Sequence, residues 1–304
     1  MKKNVSKLLG FAGIIVFVLS EILLFKKIEP VYTWFYDFAW WSYIFVIDAV
    51  VFYREGKSLV FGRFKEFCAM IPWSVVFWLF FEMVNLNLKN WHYINLPDIE
   101  WVRWIGFFFA YATVLPAIVE TSDLLYSFKF LKNHGVQRVA VTKTWYSISV
   151  IIGLCFLFLP LLIPKYFFPF IWGSFIFICE PFLHRWNENS LLKQWERGSL
   201  RNFIILLYAG FICGGLWEFW NFWAKAKWIY TVPWAGNLKI FEMPVLGFLG
   251  FPPFAVQVLV MWYMVRALTK RKYLPSTLLM IPVFLVYYFI CFKAIDLFTF
   301  IPYQ

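Results

Sequence analysis

The sequence predicts an all-α integral membrane protein with about nine transmembrane helices, built from two parallel internal repeats. Of its 304 residues, 62% are hydrophobic and only 15% are charged, and the mean hydropathy is +0.69. Aromatic residues are frequent, with 39 Phe and 18 Trp. Long apolar runs cover most of the chain, and runs of about 20 apolar residues are typical of helices that cross a bilayer.

Nine segments satisfy this length requirement. The first follows Lys2, Lys3 and Lys7, as a signal peptide would. It lacks a small-x-small cleavage site and contains Glu21, so we expect a retained helix. A short corner at 163–165 joins the fifth span to the sixth. The predicted spans are 8–25, 34–53, 67–86, 102–128, 145–162, 166–183, 202–223, 241–265 and 278–298.

Prolines interrupt two of these spans at matching places. Pro252 and Pro253 fall in the middle of the eighth span, and Pro116 lies in the fourth. Because proline lacks a backbone donor and clashes with the preceding turn, we expect a broken eighth helix and a kinked fourth. The break is compatible with a kink packed on its neighbours. It is equally compatible with a substrate site that includes Pro252.

The distribution of basic residues predicts the orientation. Of the 28 Lys and Arg residues, 19 fall in the five connecting or terminal segments on one side of the membrane. Because cytoplasmic segments carry an excess of Lys and Arg, we expect the N-terminus in the cytoplasm and the C-terminus outside. The bacterial cytoplasmic membrane is the expected location. The net charge of +11 is thus a topology signal, and its spread over short segments argues against nucleic-acid binding.

A pattern of polar and aromatic residues occurs twice in the chain. Segment 40–48 matches 172–180 at a constant offset, and a Glu-x-x-Asn pair followed by Trp-x-Tyr is found in each half. Pro116 and Pro252 follow the two glutamates at the same distance. The matching residues are Glu82, Asn85, Trp91 and Tyr93 in one copy, and Glu218, Asn221, Trp228 and Tyr230 in the other.

The duplication predicts the organisation of the chain. The offset corresponds to four spans, an even number, so both copies face the same way across the membrane. The expected units are a first repeat at 1–143, a second repeat at 144–275 and an additional C-terminal span at 276–304.

The duplicated glutamates are the first candidate functional residues, because carboxylates inside apolar spans are costly. Glu82 and Glu218 are predicted as acid–base groups, with Asn85 and Asn221 orienting them from the same helix face. The alternative is a structural carboxylate that pairs with a nearby Lys, Trp or Tyr donor.

The duplicated aromatic residues are the second group of candidate functional residues. They are either anchors at the membrane interface, or they cover a substrate cavity on its outer side. In the second interpretation the substrate-binding residues are Trp91, Tyr93, Trp228, Tyr230, Trp217, Glu242 and Pro252.

Further carboxylates are predicted to form an inner polar layer near the cytoplasmic side. Asp48 and Glu180 are matched between the repeats, and Glu120 follows Pro116 by one turn, with Gln257 near the matching place in the other half. These residues could outline a proton or ion path. Alternatively, Asp48 and Glu180 pair with the nearby Arg54 and His184.

Other site classes have no sequence support. The chain has five Cys and no Cys-x-x-Cys pair, so the sequence predicts neither a disulfide framework nor a metal site. It has no nucleotide-binding or nucleophile-elbow motif, and no cofactor is indicated. The expected partners are membrane lipids and an apolar lipid or isoprenoid ligand.

The second half contains three short motifs in sequence: Leu216-Trp217-Glu218, Trp228-Ile229-Tyr230-Thr231 and the segment 238–244, with Glu82 and Trp91-His92-Tyr93 as a fainter first copy. This arrangement resembles the repeat unit of the small membrane lycopene cyclases of the heterodimeric or fused type. The family unit has an acidic residue near the end of one helix, then a Trp-x-Tyr turn, and then a Pro-x-Glu-Glu sequence at the start of the next helix.

This chain has Pro244-Val245-Leu246-Gly247 where the family unit has Pro-x-Glu-Glu. The resemblance implies a shared architecture and an isoprenoid-sized apolar cavity, with any chemistry assigned to Glu82, Glu218 or Glu242.

Three functions therefore follow as hypotheses. The first is a membrane enzyme, similar to lycopene cyclase, that acts on an isoprenoid or lipid by acid–base chemistry. The second is a proton-coupled transporter or a lipid flippase. The third is a non-catalytic membrane binding or assembly protein. The position of the carboxylates relative to a cavity distinguishes them.

Overall fold

The computed structural model describes residues 2–132, 135–233 and 238–301, which form a helical bundle. Within these ranges, nine helical segments are long and apolar enough to cross a membrane, which confirms the predicted class and the nine spans. The bounds of the spans differ from the predicted ones by a few residues.

The first half contains six helices and one strand. They are α1 (Lys2–Phe25), α2 (Val31–Glu55), α3 (Leu59–Gly62), α4 (Phe64–Leu88), β1 (Trp91–Ile94), α5 (Glu100–Ala112) and α6 (Val114–Ser127).

The second half repeats this order with additional short elements. They are α7 (Lys143–Leu162), α8 (Pro164–Phe167), a 3-10 helix (Phe168–Gly173), α9 (Ser174–Arg185), α10 (Leu191–Glu196), α11 (Arg201–Trp223), β2 (Lys227–Tyr230), β3 (Lys239–Ile240), β4 (Met243–Pro244), a second 3-10 helix (Val245–Gly250), α12 (Phe251–Lys270) and α13 (Thr277–Phe298).

The fourth span is interrupted between α5 and α6, at Thr113. Pro116 explains this break, because its ring would clash with the carbonyl of the last residue of α5 in a continuous helix. A side chain of α4 satisfies the freed backbone groups: the Ser74 hydroxyl donates to the Tyr111 carbonyl (2.6 Å) and accepts from the Leu115 amide (3.0 Å). Such compensation is what allows a broken helix at membrane depth.

The eighth span differs from the prediction. Pro252 and Pro253 lie in the first turn of α12 and do not interrupt a helix. The residues before them form the β3–β4 hairpin and the second 3-10 helix. The first N–H groups of a helix have no intrahelical partner, so prolines at this position begin a helix without loss of a hydrogen bond.

The two halves meet in an antiparallel pairing of β1 with β2. Trp91 pairs with Tyr230 and Tyr93 with Trp228, on either side of the pair that His92 makes. Each Trp thus lies opposite the Tyr of the other copy, so the ladder itself has approximate two-fold symmetry. We call this end of the bundle the strand end, and the opposite end, which carries α3 and α10, the basic end.

Helix packing follows the same duplication. α1 packs along α2 as α7 packs along α9, and α2 contacts α6 as α9 contacts α12. α11 and α12 approach closely at Gly210 and Gly214, where an added Cβ would come within 2.7 Å of Pro252 Cα and 2.2 Å of the Phe251 ring. The ninth span has no counterpart: α13 packs on α4. The bounds of the two repeats remain a prediction.

The orientation can be tested by cysteine labelling of cells. In a background without the five native cysteines, Asp98→Cys at the exposed strand end should react with a membrane-impermeant thiol reagent added outside intact cells. Arg271→Cys, exposed at the basic end, should react only after the cells are opened. Labelling of position 271 alone in intact cells would contradict the charge-based orientation.

Candidate functional site

A cavity of about 120 Å³ lies beneath the β1–β2 ladder. Aromatic side chains form most of its wall, and few polar side chains reach it. The aromatic lining residues are Trp34, Tyr36, Trp78, Trp91, Tyr93, Phe107, Tyr111, Trp172, Trp217, Trp228, Tyr230, Phe251 and Phe254; the polar ones are Thr33, Asp37 and Lys227.

Behind this wall, Glu82 is fully buried and fully hydrogen-bonded. Its carboxylate accepts from the Tyr93 hydroxyl (2.5 Å), from Trp78 Nε1 (2.8 Å) and from Trp91 Nε1 (3.2 and 3.3 Å). The Tyr111 hydroxyl donates in turn to the Tyr93 oxygen (2.9 Å). Hydrogen bonds of this number offset the cost of burying the carboxylate, so Glu82 holds the wall in place.

Glu218 has the matching position and fewer partners. It is also fully buried, and its Oε1 accepts from the Tyr230 hydroxyl at 2.7 Å. Its Oε2 is buried and makes no hydrogen bond to any atom of the described ranges. An unpaired oxygen on a buried carboxylate is expensive, so the hydrogen-bonding capacity of Glu218 is less completely satisfied than that of Glu82.

Burial fixes the protonation of the two tyrosines that contact these glutamates. Removal from water raises the pKa of the Tyr93 hydroxyl well above its ordinary value, and the charge of Glu82 raises it further. Burial likewise raises the pKa of the Tyr230 hydroxyl well above its ordinary value, and the charge of Glu218 raises it further. Both hydroxyls therefore keep their protons at neutral pH and donate them in the hydrogen bonds to Glu82 and Glu218.

The asparagines do not orient the glutamates directly, which corrects the predicted role. Asn85 donates to the Trp91 carbonyl (2.8 Å) and accepts from the Trp91 amide (3.3 Å). Asn221 makes the same pair of bonds with the backbone of Trp228, at 2.9 and 3.0 Å. Asn85 thus holds the first residue of β1, and Asn221 holds the second residue of β2. Both asparagines position the aromatic side chains of these strands, which line the cavity.

Two of the predicted substrate-binding residues lie outside the cavity wall. Glu242, in the turn between β3 and β4, is bound to Lys227 Nζ at 2.8 Å, and it is the lysine that reaches the cavity. Pro252 packs on Gly210, where the missing side chain allows α11 and α12 to touch. The other five predicted residues line the cavity.

Sequence analysis missed most of the lining residues, and three of these carry a signal in the sequence. Trp172 is the repeat counterpart of Trp40, so the duplication itself indicates it. Trp78 lies one helical turn before Glu82, so helical spacing indicates it. Asp37 is a carboxylate inside the second span, which is itself a signal. It has no acidic counterpart in the other half, and the repeat comparison therefore passed over it.

At the basic end, Asp48 caps the helix that follows it. Its Oδ1 accepts from the Val60 amide at 2.7 Å, in the first turn of α3, whose N-cap is Ser58. Glu180 does the same for α10: its Oε2 accepts from the Ser190 hydroxyl (2.7 Å) and from the first amides of that helix (2.9 and 3.1 Å). Satisfying free N–H groups at a helix start is a structural role.

The alternative ion pairs for these carboxylates are wrong. Arg54 donates to the Ser127 hydroxyl and carbonyl, at 2.8 and 2.9 Å. His184 bonds to Glu196 at 2.8 Å and to Tyr146 at 2.7 Å. The basic side chains are therefore used in other contacts of the basic end.

Glu120 lies beside Asp48, and neither of its oxygens has a hydrogen-bond partner in the described part of the chain. Gln257 corresponds to Thr121 rather than to Glu120. Thr121 bonds to Tyr43 (2.8 Å), and Gln257 accepts from the amide of Phe175 (2.9 Å), the repeat counterpart of Tyr43. Asp48 and Glu120 are brought together, whereas Glu180 contacts a different helix start.

Comparison of the chain with protein-family models, with curated proteins and with solved structures found no significant match. The resemblance to the lycopene-cyclase unit therefore stays a prediction from the quoted motifs.

The capping role predicts a stability effect at the basic end. Glu180→Ala should lower the free energy of unfolding by about 1–3 kcal/mol, because amides at the start of α10 lose a charged acceptor. The midpoint of thermal unfolding in detergent measures this effect. Glu55→Ala, which removes an exposed carboxylate at the same end, is the control and should leave the midpoint unchanged. Equal midpoints for the two variants would refute the capping role.

Proposed function

We propose that the strand-end cavity binds an elongated apolar lipid of isoprenoid type, and that Glu218 acts on it through Tyr230 as an acid–base pair. One observation carries the proposal: a tyrosine from each half lines the aromatic cavity, and the hydroxyl of each tyrosine donates a hydrogen bond to a buried carboxyl group. The activity would be an isomerisation or cyclisation of double bonds.

The aromatic wall supports an apolar ligand and a cationic intermediate. Phe254 lies within ring-contact distance of Trp78 (5.8 Å), Trp172 (5.6 Å) and Trp217 (5.7 Å), so the indoles surround one region of the cavity. Indole faces carry negative potential and attract cations. A positive charge that develops on a hydrocarbon chain in this region would be stabilised without a counter-ion.

The chemistry needs no oxidant or reductant. The step starts from protonated Glu218, with the Tyr230 hydroxyl turned from Glu218 toward the ligand. The Glu218 carboxyl gives its proton to the Tyr230 oxygen while the hydroxyl proton of Tyr230 bonds to one carbon of a double bond. The neighbouring carbon then becomes a cation. Loss of a proton from another carbon restores a double bond and returns the proton along the same path, so the acid is regenerated.

The transporter hypothesis has less support from the geometry. It requires carboxylates along one polar path. Asp48 and Glu180 instead accept hydrogen bonds from helix starts at the basic end, and Glu82 accepts from three aromatic donors. A binding protein without catalysis remains the second candidate, favoured by the absence of acidic residues at 245–247.

Lipids extracted from the purified protein should first be identified by mass spectrometry, and conversion of the identified lipid should then be followed with the same protein. We expect Tyr230→Phe, which removes only the hydroxyl, to reduce turnover at least tenfold while ligand binding stays within about twofold. A change in binding equal to the change in turnover would indicate a binding site without acid–base chemistry.

The two glutamates should respond differently to the same conservative change. Glu218→Gln should abolish turnover and leave the thermal midpoint nearly unchanged, because only one tyrosine depends on its side chain. Glu82→Gln should lower the free energy of unfolding by about 1–3 kcal/mol, since an amide cannot accept from three donors as a carboxylate does. Full turnover by Glu218→Gln would remove this residue from the mechanism.

A further inference from the structure

The strand-end cavity is small for an elongated lipid. Its volume of about 120 Å³ is enough for roughly ten non-hydrogen atoms, or about two isoprene units, since one water molecule needs about 10–15 Å³ in the same measure. A longer chain can therefore place only one end beneath the β1–β2 ladder. The site for the remainder of the chain has to be continuous with the cavity.

A larger volume of about 670 Å³, which we call the lateral groove, lies between α1 and α5, with α2 as its floor. Apart from Asp37 and Ser42, its lining residues are aliphatic, aromatic or glycine. Val16 on one wall and Ile105 on the other are 41% and 50% exposed, and both lie within membrane-spanning helices. The lateral groove therefore opens toward the hydrocarbon of the bilayer, where an apolar chain is at home.

The lateral groove and the strand-end cavity share part of one wall. Trp34, Asp37 and Gly106 line both volumes. The backbone of α2 departs from helical geometry at Trp34 (φ −102°, ψ 22°). The Trp34 indole packs directly on Gly106 of α5, where an added Cβ would come within 1.9 Å of the ring. This contact between a ring and a glycine thus lies where the two volumes meet.

We infer that the apolar ligand binds end-on across the Trp34–Gly106 contact, with one end in the strand-end cavity and the rest of its chain in the lateral groove, which it enters from the bilayer. This inference rests on the proposed lipid-binding function and adds the position of the ligand and its route of entry. The double bond that reacts would then be near one end of the chain, because only that end reaches Tyr230.

Passage between the two volumes requires the Trp34 indole to move. Trp34 is half-buried, and rotation of its side chain would open the contact with Gly106 without displacing a helix. Rotations of accessible side chains are much faster than movements of whole helices. Trp34 therefore controls how quickly the ligand enters and leaves.

Entry from the aqueous side has less support. The β1–β2 ladder covers the cavity at the strand end, and its backbone hydrogen bonds would have to open. Asn85 and Asn221 hold the same two strands to their helices. An apolar chain on this route would also have to leave the bilayer for water, which is unfavourable for every CH₂ group that becomes exposed.

Reversible blocking of the lateral groove tests the position of the ligand. In purified full-length protein without the native cysteines, Val16→Cys places a thiol in the groove, and Ile15→Cys places one at the neighbouring exposed position outside it. Each thiol is modified with benzyl methanethiosulfonate, and equilibrium binding of tritiated squalene is measured in detergent. Modification at position 16 should weaken binding at least fivefold, because the benzyl group occupies the place of the chain. Modification at position 15 should change binding less than twofold, and reduction of the disulfide should restore the original affinity.

A tryptophan variant tests the route of entry. Trp34→Ala removes the indole from the contact with Gly106, so bound tritiated squalene should be released at least fivefold faster into an excess of unlabelled squalene. Trp101→Ala removes an exposed indole that lines the lateral groove and not the cavity, and it should change the release rate less than twofold. The thermal midpoint identifies a variant that fails to fold. Ile105→Cys, on the opposite wall, then replaces Val16→Cys, and the blocking experiment decides if Trp34→Ala is the variant that fails.

The outcomes separate the inference from the proposed function. Equal binding of squalene before and after modification at position 16 would overturn the end-on position and leave apolar lipid binding intact. An unchanged release rate in Trp34→Ala would overturn the route past this residue. Failure of the unmodified protein to bind squalene would contradict the proposed function itself, and the inference with it.

Discussion

The pairing of β1 with β2 is the constraint on which the rest of the structure depends. Residues two apart on a strand point to the same face, so the Trp-x-Tyr spacing directs both side chains of each copy toward the cavity. The antiparallel register places Trp91 opposite Tyr230 and Tyr93 opposite Trp228. One short ladder therefore joins the halves and forms a four-residue aromatic surface. Asparagine side chains from the preceding helices hold its strands.

The two halves use this common scaffold differently. In the first, Glu82 receives donors from Tyr93 and two tryptophans, and Tyr111 extends the network. In the second, Glu218 receives the hydroxyl of its matching tyrosine and keeps one oxygen unpaired. Duplication supplies two equivalent positions, and the surrounding donors then determine which carboxyl group is fully hydrogen-bonded and which keeps an unpaired oxygen. Sequence similarity alone does not reveal this difference.

Much of the fold could be predicted from the sequence, because hydropathy and charge reflect the membrane directly. All nine spans are present, and the duplicated Trp and Tyr residues of the two strands line one cavity. Roles that depend on three-dimensional contacts could not be assigned. The asparagines bind strand backbone, and Asp48 and Glu180 cap helices that begin at Ser58 and Ser190. Those two serines are themselves matched between the repeats, which is a signal that span-based reasoning overlooked because they lie in connections.

Asp37 cannot be found by comparing the two halves of the chain. The comparison of halves finds residues that serve both copies, whereas a ligand that occupies one cavity on the approximate axis needs its polar contacts only once. Position 169, the counterpart of Asp37, is a proline in the second half. A carboxylate that is present in a span of one half only therefore indicates a role that is needed once, whereas a carboxylate matched in both halves indicates a role that is needed twice. Matched polar residues maintain the architecture that both halves share, whereas Asp37 and Trp217 line the cavity from one half each and keep a buried polar atom unpaired within the described ranges.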